Sequence, residues 1–168
     1  MIQESMTQET SMEGQTLVIR RRFAAPVEKV YQAWTDPARL ARWLSPNVRW
    51  NAPAVDIEPS PGGRYDVRMR HCDGDEFHTV GRYVEVVPNE RLSFTWTWLD
   101  NPFGMEETLV TVEFRAVFEG TELTLTHDRQ TDPQALEGAS GGWTGCLDML
   151  ESYLDGRPLL GSRRASPV

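Results

Sequence analysis

Lysine is almost missing from this chain. Of 17 basic residues only Lys29 is a lysine, and the rest are arginine. Cysteine is scarce too: Cys72 and Cys146 lie far apart with no CxxC pair, which excludes a disulfide framework and a cysteine-rich zinc module. Apolar runs extend only a few residues, which excludes a transmembrane helix. Positive charge is outnumbered, 17 basic against 25 acidic residues, for a formal charge of −8. That balance opposes non-specific nucleic-acid binding, since a phosphate backbone needs a positive footprint. GxGxxG, GxxxxGK[ST] and GxSxG motifs are all lacking, so no dinucleotide, phosphate-loop or serine-hydrolase signature is present. No basic-then-apolar leader opens Met1 to Gly14. The expectation is a cytoplasmic protein with reduced thiols.

What is present is an ordinary globular chain of 168 residues, 39% apolar and 25% charged. A chain this long buries about two-thirds of its unfolded surface as one domain, without disulfides or metal. Residues 1–15 carry Gln, Glu, Ser and Thr with no hydrophobic period and read as a flexible tail. Residues 16–156 read as a single domain and residues 157–168 as a C-terminal tail. Thr16 to Phe23 alternates as a strand, with Leu17, Ile19 and Phe23 on one face and Arg21 on the same face. Pro26 opens a helix, in which Val27, Val30, Tyr31 and Trp34 form a core-facing stripe. Asp36-Pro37 separates it from a second short helix through Leu40, Trp43 and Leu44.

The period then changes. Tyr65, Val67 and Met69 alternate with Arg64, Asp66, Arg68 and Arg70, a half-exposed strand with an arginine outer face that predicts cross-strand pairs with acidic neighbours. Cys72-Asp73-Gly74-Asp75 signals a tight hairpin, and Phe77 to Val87 is the returning strand. After Pro88-Asn89, the residues Leu92, Phe94, Trp96 and Trp98 alternate against Ser93, Thr95 and Thr97. Residues 101–106 read as a loop carrying Phe103 and Met105. Thr108 to Phe118 and Thr121 to His127 form another hairpin around Glu119-Gly120. Pro133 to Asp155 reads as a long helix closed by Gly156, with Trp143, Leu147, Leu150 and Leu154 on one stripe. This order predicts an α+β domain: a curved antiparallel sheet of six to seven strands wraps the last helix, and two short helices follow the first strand. A strongly curved sheet cannot touch a straight helix along its full length, so a cavity is expected between them.

Several of these segments resemble, in residue type and in order, the helix-grip superfamily of START and Bet v 1-like domains. The nearest branch is the one related to the C-terminal domain of the activator of Hsp90 ATPase. The matching residues are Arg21-Arg22-Phe23-Ala24-Ala25-Pro26 with Val27 to Trp34, Asp36-Pro37 with Leu40 to Trp43, Pro61-Gly62-Gly63, Gly81 with Val84 to Leu92, Gly120 to Leu125, and Gly142-Trp143 leading to Leu154. They span about residues 16–156. The resemblance implies a helix-grip fold and a cavity, and not one function. Members bind lipids, hormones or polyketides, some catalyse cyclisation, and one branch stimulates a chaperone.

The aromatic inventory points to that cavity. Trp34, Trp43, Trp96, Trp98 and Trp143 fall at core-facing positions, while Trp50 falls in a loop. Any one tryptophan is better explained by core packing. As a set, with Phe94, Leu147, His127 and the adaptable Met69 and Met105, they are the expected ligand-binding residues. His127 and Arg21 are the candidate catalytic side chains, one as an acid or base near neutral pH and one as a bidentate holder of a carboxylate. Structural roles compete with both: a histidine tied to a neighbouring backbone or to Asp128, and an arginine in a buried ion pair. His71, Cys72, Asp73, Asp75, Glu76 and His78 have metal-ligating types without metal-ligand spacing. They read as a polar hairpin tip on which His71 and His78 face each other, and no metal is expected. Gly138, Gly141, Gly142 and Gly145 loosen the first half of the last helix, for ligand access or for close backbone packing.

The expected function is binding of a small hydrophobic or aromatic molecule between sheet and C-terminal helix. One alternative is a cyclase, hydrolase or isomerase using the same cavity. The other is an interaction domain that modulates the chaperone Hsp90. The lack of an acid–base pair at a telling spacing turns the reading away from an enzyme. No cofactor is implied. Nucleic acid is not an expected partner, and a homodimer fits the sequence.

Overall fold

A computed structural model describes residues 8–99 and 106–156. In chain order the elements are β1 (Gln8–Glu13), β2 (Thr16–Phe23), α1 (Val27–Thr35), α2 (Pro37–Trp43), β3 (Trp50–Ile57), β4 (Arg64–His71), β5 (Glu76–Val87), β6 (Arg91–Leu99), β7 (Thr108–Val117), β8 (Gly120–Asp128) and α3 (Pro133–Leu154). The eight strands make one antiparallel sheet in the order β1-β2-β8-β7-β6-β5-β4-β3. The architecture is α+β, with the curved sheet wrapped around the long C-terminal helix.

Alternation decides which side of each strand faces inward. In β2, Leu17, Ile19, Arg21 and Phe23 are buried while Arg20 and Arg22 are exposed. In β8, Thr121, Leu123, Leu125 and His127 are buried. Register irregularities between Asn51 and Ala54 on β3, and between Tyr83 and Glu85 on β5, bend the sheet. Helices α2 and α3 start where the sequence signals it. Asp36 caps α2 by accepting from the Ala38 N–H at 2.9 Å, and Asp132 caps α3 by accepting from the Gln134 N–H at 2.8 Å. A proline at the first turn of both helices loses no hydrogen bond there.

Two strands go beyond the sequence expectation. Residues 8–13, read as tail, form β1 on the edge of β2. Five of its six side chains are exposed, so it is held by main-chain hydrogen bonds that leave no hydrophobic alternation. Trp50, read as a loop residue, opens β3. Pro53 interrupts the strand pattern there, and it is tolerated because β3 is an edge strand with an irregular register at that point. The sheet therefore has eight strands rather than six or seven, and the two short helices follow its second strand.

The core lies between α3 and the β2–β8–β7 part of the sheet, and α1 and α2 close one end. Leu147, Leu150 and Leu154 of α3 meet Leu17, Ile19, Leu123, Leu125, Val110 and Val112 in one buried cluster. On the outer face, Arg64 pairs with Asp56 at 3.1 Å and Arg70 with Glu76 at 3.1 Å. Arg68 instead donates to Nδ1 of His78 at 3.4 Å, and Nε2 of His78 donates to Asp66 at 2.7 Å. His71 lies opposite Trp50, and His78 opposite Arg68, so the two histidines do not face each other as expected. Among the described residues no three of His, Cys, Asp and Glu are grouped to hold a metal ion. No helix among them is long and apolar enough to cross a membrane.

Candidate functional site

The first half of α3 stands off from strands β3 to β6, and the gap is a cavity of about 270 Å³. That is just below the ~300–1,000 Å³ of drug-sized ligand pockets. Its floor is buried and formed by Leu44, Tyr65, Met69, Trp143 and Cys146. Its sheet wall is aromatic: Trp50 from β3, Phe77 from β5, Trp96 and Trp98 from β6. Phe77 stacks on Trp98 with centroids 4.6 Å apart, and lies 6.0 Å from Trp96 and 6.5 Å from Trp50. The hairpin register builds this wall. Gly74 takes φ 103 in the turn, where a side chain would be strained. With that turn fixed, Met69 comes opposite Phe77. Across the cavity, α3 presents the small residues Ala135, Gly138, Ala139 and Gly142. The exposed lining residues Glu106, Thr131, Gln134 and Gly138 mark the mouth. There the Thr131 hydroxyl donates to the Glu106 carboxylate. Glu106 and Asp132 are the charged side chains of the lining, which carries no arginine or lysine among the described residues.

The helix glycines divide into two kinds. A Cβ on Gly145 would lie 1.9 Å from the carbonyl oxygen of Pro46, so this glycine lets α3 approach the segment after α2. A Cβ on Gly138 or Gly142 would meet no atom within 4 Å. Those two border open space.

His127 stands behind the wall rather than on it. It is fully buried. Its Nδ1 accepts from the indole N–H of Trp143 at 3.0 Å. The ring proton is therefore on Nε2, which donates to Thr108 Oγ1 at 2.7 Å. The Thr108 hydroxyl in turn donates to the Trp96 carbonyl at 2.7 Å. The Trp96 ring meets the imidazole edge-on at 4.8 Å. Both nitrogens are satisfied only in the neutral ring, and burial pushes the pKa down from 6.5 to about 3. The histidine is tied to Trp143 and Thr108, not to a backbone group or to Asp128. Its geometry orients two cavity tryptophans and leaves no nitrogen free for a substrate.

Arg21 is likewise occupied. Its guanidinium donates to Asp148 at 2.7 Å, to Glu151, and to the Gln8 side chain at 2.8 Å. It forms an ion cluster between β2 and α3, away from the cavity lining. Of the other residues expected at a site, Met69, Trp96, Trp98 and Trp143 line the cavity. Trp34 and Trp43 pack edge-to-face at 4.9 Å within the core, and Trp43 donates to the Ala33 carbonyl at 2.9 Å. Phe94 stacks on Tyr65 at 4.5 Å behind the floor, and Leu147 is core. Met105 lies outside the described residues.

Sequence reasoning missed Trp50, Tyr65, Phe77 and Gln130 as lining residues. The Asp-Gly turn carried the signal for Phe77, because its register sets Phe77 against Met69. Trp50 had none, since Pro53 hid its strand. The floor holds no nucleophile: burial pushes the Cys146 thiol up to about 12 and raises Tyr65 above its ordinary value.

Comparison with known proteins agrees with this geometry. No curated protein matches the chain. Among solved structures, a protein from Chromobacterium violaceum is 26% identical with a TM-score of 0.77, over 84% of this chain and 98% of its own. One from Rhodobacter sphaeroides is 26% identical with a TM-score of 0.78, over 89% and 99%. One from Mesorhizobium loti is 27% identical with a TM-score of 0.69, over 86% and 100%. Residues 24–155, from the end of β2 to the end of α3, match the family described as activator of Hsp90 ATPase homolog 1-like protein, and the chain belongs to that family.

Proposed function

We propose that the protein binds one small hydrophobic or aromatic molecule in the cavity between the sheet and α3. The observation that carries the reading is the aromatic-walled cavity of about 270 Å³ beside Gly138 and Gly142. The walls expose aromatic surface to water at an open pocket, and a bound apolar molecule removes that surface from water. Aromatic walls favour offset or edge-on contact with a planar ligand. The same observations favour a binding module over an enzyme. His127 and Arg21 are occupied by structural partners, and the thiol and phenol on the floor stay protonated near neutral pH. The test is native mass spectrometry of the protein mixed with a fused bicyclic aromatic such as 3-acetylindole. One added ligand mass per chain is expected. A spectrum with no added mass at saturating probe ends the reading.

A role in modulating Hsp90 rests on the family description alone. The Hsp90 ATPase rate, measured with and without the protein, decides it, and no change is expected.

A further inference from the structure

We infer that Gln130 is a ligand-recognition residue, and that the cavity takes a neutral aromatic molecule carrying a hydrogen-bond acceptor such as a carbonyl oxygen. This rests on the binding function proposed above and specifies the ligand class. Gln130 lies on the cavity lining and is 6% exposed. Its amide nitrogen is buried and has no hydrogen-bond partner among the described residues. Buried amide donors are almost always satisfied, because leaving one unpaired costs stability. An unpaired donor on a residue that lines a mostly apolar pocket is what a site holds before its ligand supplies the acceptor.

The backbone fixes this side chain in place. Arg129 takes φ 68 at the end of β8, an unusual conformation for a non-glycine residue. The next N–H, that of Gln130, donates to the Gln15 carbonyl at 3.1 Å. The chain is thus turned sharply under α3, and Gln130 is carried to the cavity instead of to solvent.

The charge of the ligand follows from the rest of the lining. Its charged members are Glu106 and Asp132, and no cation stands among the described lining residues. A carboxylate would surrender its hydration to aromatic walls with no counter-ion beside it. A neutral carbonyl surrenders less and gains the Gln130 N–H.

The test is isothermal titration calorimetry at pH 7.5 with three probes of one shape: 3-acetylindole, 3-ethylindole and indole-3-carboxylate. The wild type binds 3-acetylindole about tenfold more tightly than 3-ethylindole, and indole-3-carboxylate most weakly. In Gln130→Met, which keeps the length and removes the donor, the ratio of acetyl to ethyl affinity falls to about one. Circular dichroism and Tm of the variant confirm its fold, and the wild-type ranking stands as a test by itself. Equal affinity for the acetyl and ethyl probes in the wild type overturns the role of Gln130 and leaves the cavity function intact. So does an acetyl preference that survives in the variant. Tightest binding of the carboxylate overturns the neutral class. Failure of all three probes to bind overturns the cavity function, and this inference with it.

Discussion

Replacing His127 with leucine probes the layer behind the aromatic wall. The variant keeps an apolar side chain of similar bulk. It removes the acceptor for the Trp143 indole N–H and the donor to Thr108. Trp143 is 6% exposed, so water has little access to the stranded N–H. An unsatisfied buried donor costs about 1–3 kcal/mol. For a chain of this size, about 2 kcal/mol lowers Tm by roughly 4–8 °C. The pH dependence gives an independent reading. The folded pKa of about 3 lies below the ordinary 6.5, so the unfolded chain takes up the proton first as pH falls. This contribution to stability is complete above pH 6.5 and is lost as pH drops toward 3. Between pH 6.5 and 5 one such group removes about 1.6 kcal/mol. Urea denaturation of both proteins at pH 8, 6.5 and 5 separates this from other groups, because His71 and His78 are common to both. His127→Leu is expected to be about 2 kcal/mol less stable at pH 8, a gap that narrows by about 1.6 kcal/mol between pH 6.5 and 5. Parallel stability curves across that range would refute a buried, neutral imidazole.

Three further outcomes follow from the packing. Gly145→Ala places a Cβ against the Pro46 carbonyl and is expected to lower stability by roughly 1–3 kcal/mol, whereas Gly138→Ala raises it by up to about 1 kcal/mol; urea midpoints compare the two. Arg21 is buried while its partners are half-exposed or more, so the double variant Asp148→Asn, Glu151→Gln strands the cation. It is expected to cost about 1 kcal/mol more than Arg21→Met, whose freed carboxylates are hydrated, and denaturation curves of the two variants check this. Cys72 is exposed and Cys146 is buried with a raised pKa. One thiol per chain is expected to react with Ellman's reagent in the native protein at pH 8 and two after denaturation.

Much of this fold is written in local patterns, and the reasons for the exceptions are physical. Strands β2, β4 and β8 bury alternate residues and helix α3 buries one stripe, so Ile19, Val67, Leu125 and Leu147 recur at the period of their element. β1 has no buried face, so its pairing with β2 leaves no trace in side-chain type. β3 carries its proline at an irregular edge, where the usual rule against proline in strands is relaxed.

The site is less legible than the fold. Periodicity marks Trp34, Trp43, Trp96, Trp98 and Trp143 alike as facing inward. It does not tell an aromatic packed against another element from one facing open space. That difference depends on how far the sheet bends and where α3 leaves it. Both follow from long-range contacts, such as the approach of Gly145 to Pro46. His127 shows the same limit. Its inward position was readable on β8, but its partners Trp143 and Thr108 lie on α3 and β7, and only the tertiary structure joins them.

The central claim is that the space beside α3 is a binding site, and Gly142→Leu tests it most directly. Gly142 borders the cavity, and a Cβ there meets no atom within 4 Å. A side chain there starts in open space beside the cavity, and the loss of a mid-helix glycine stabilises α3 by about 0.8 kcal/mol. Calorimetric titration with 3-acetylindole and a melting curve are measured on the same samples. The account predicts a variant that melts at or above the wild-type temperature and binds the probe at least tenfold more weakly. A variant that binds the probe as tightly as the wild type would contradict it.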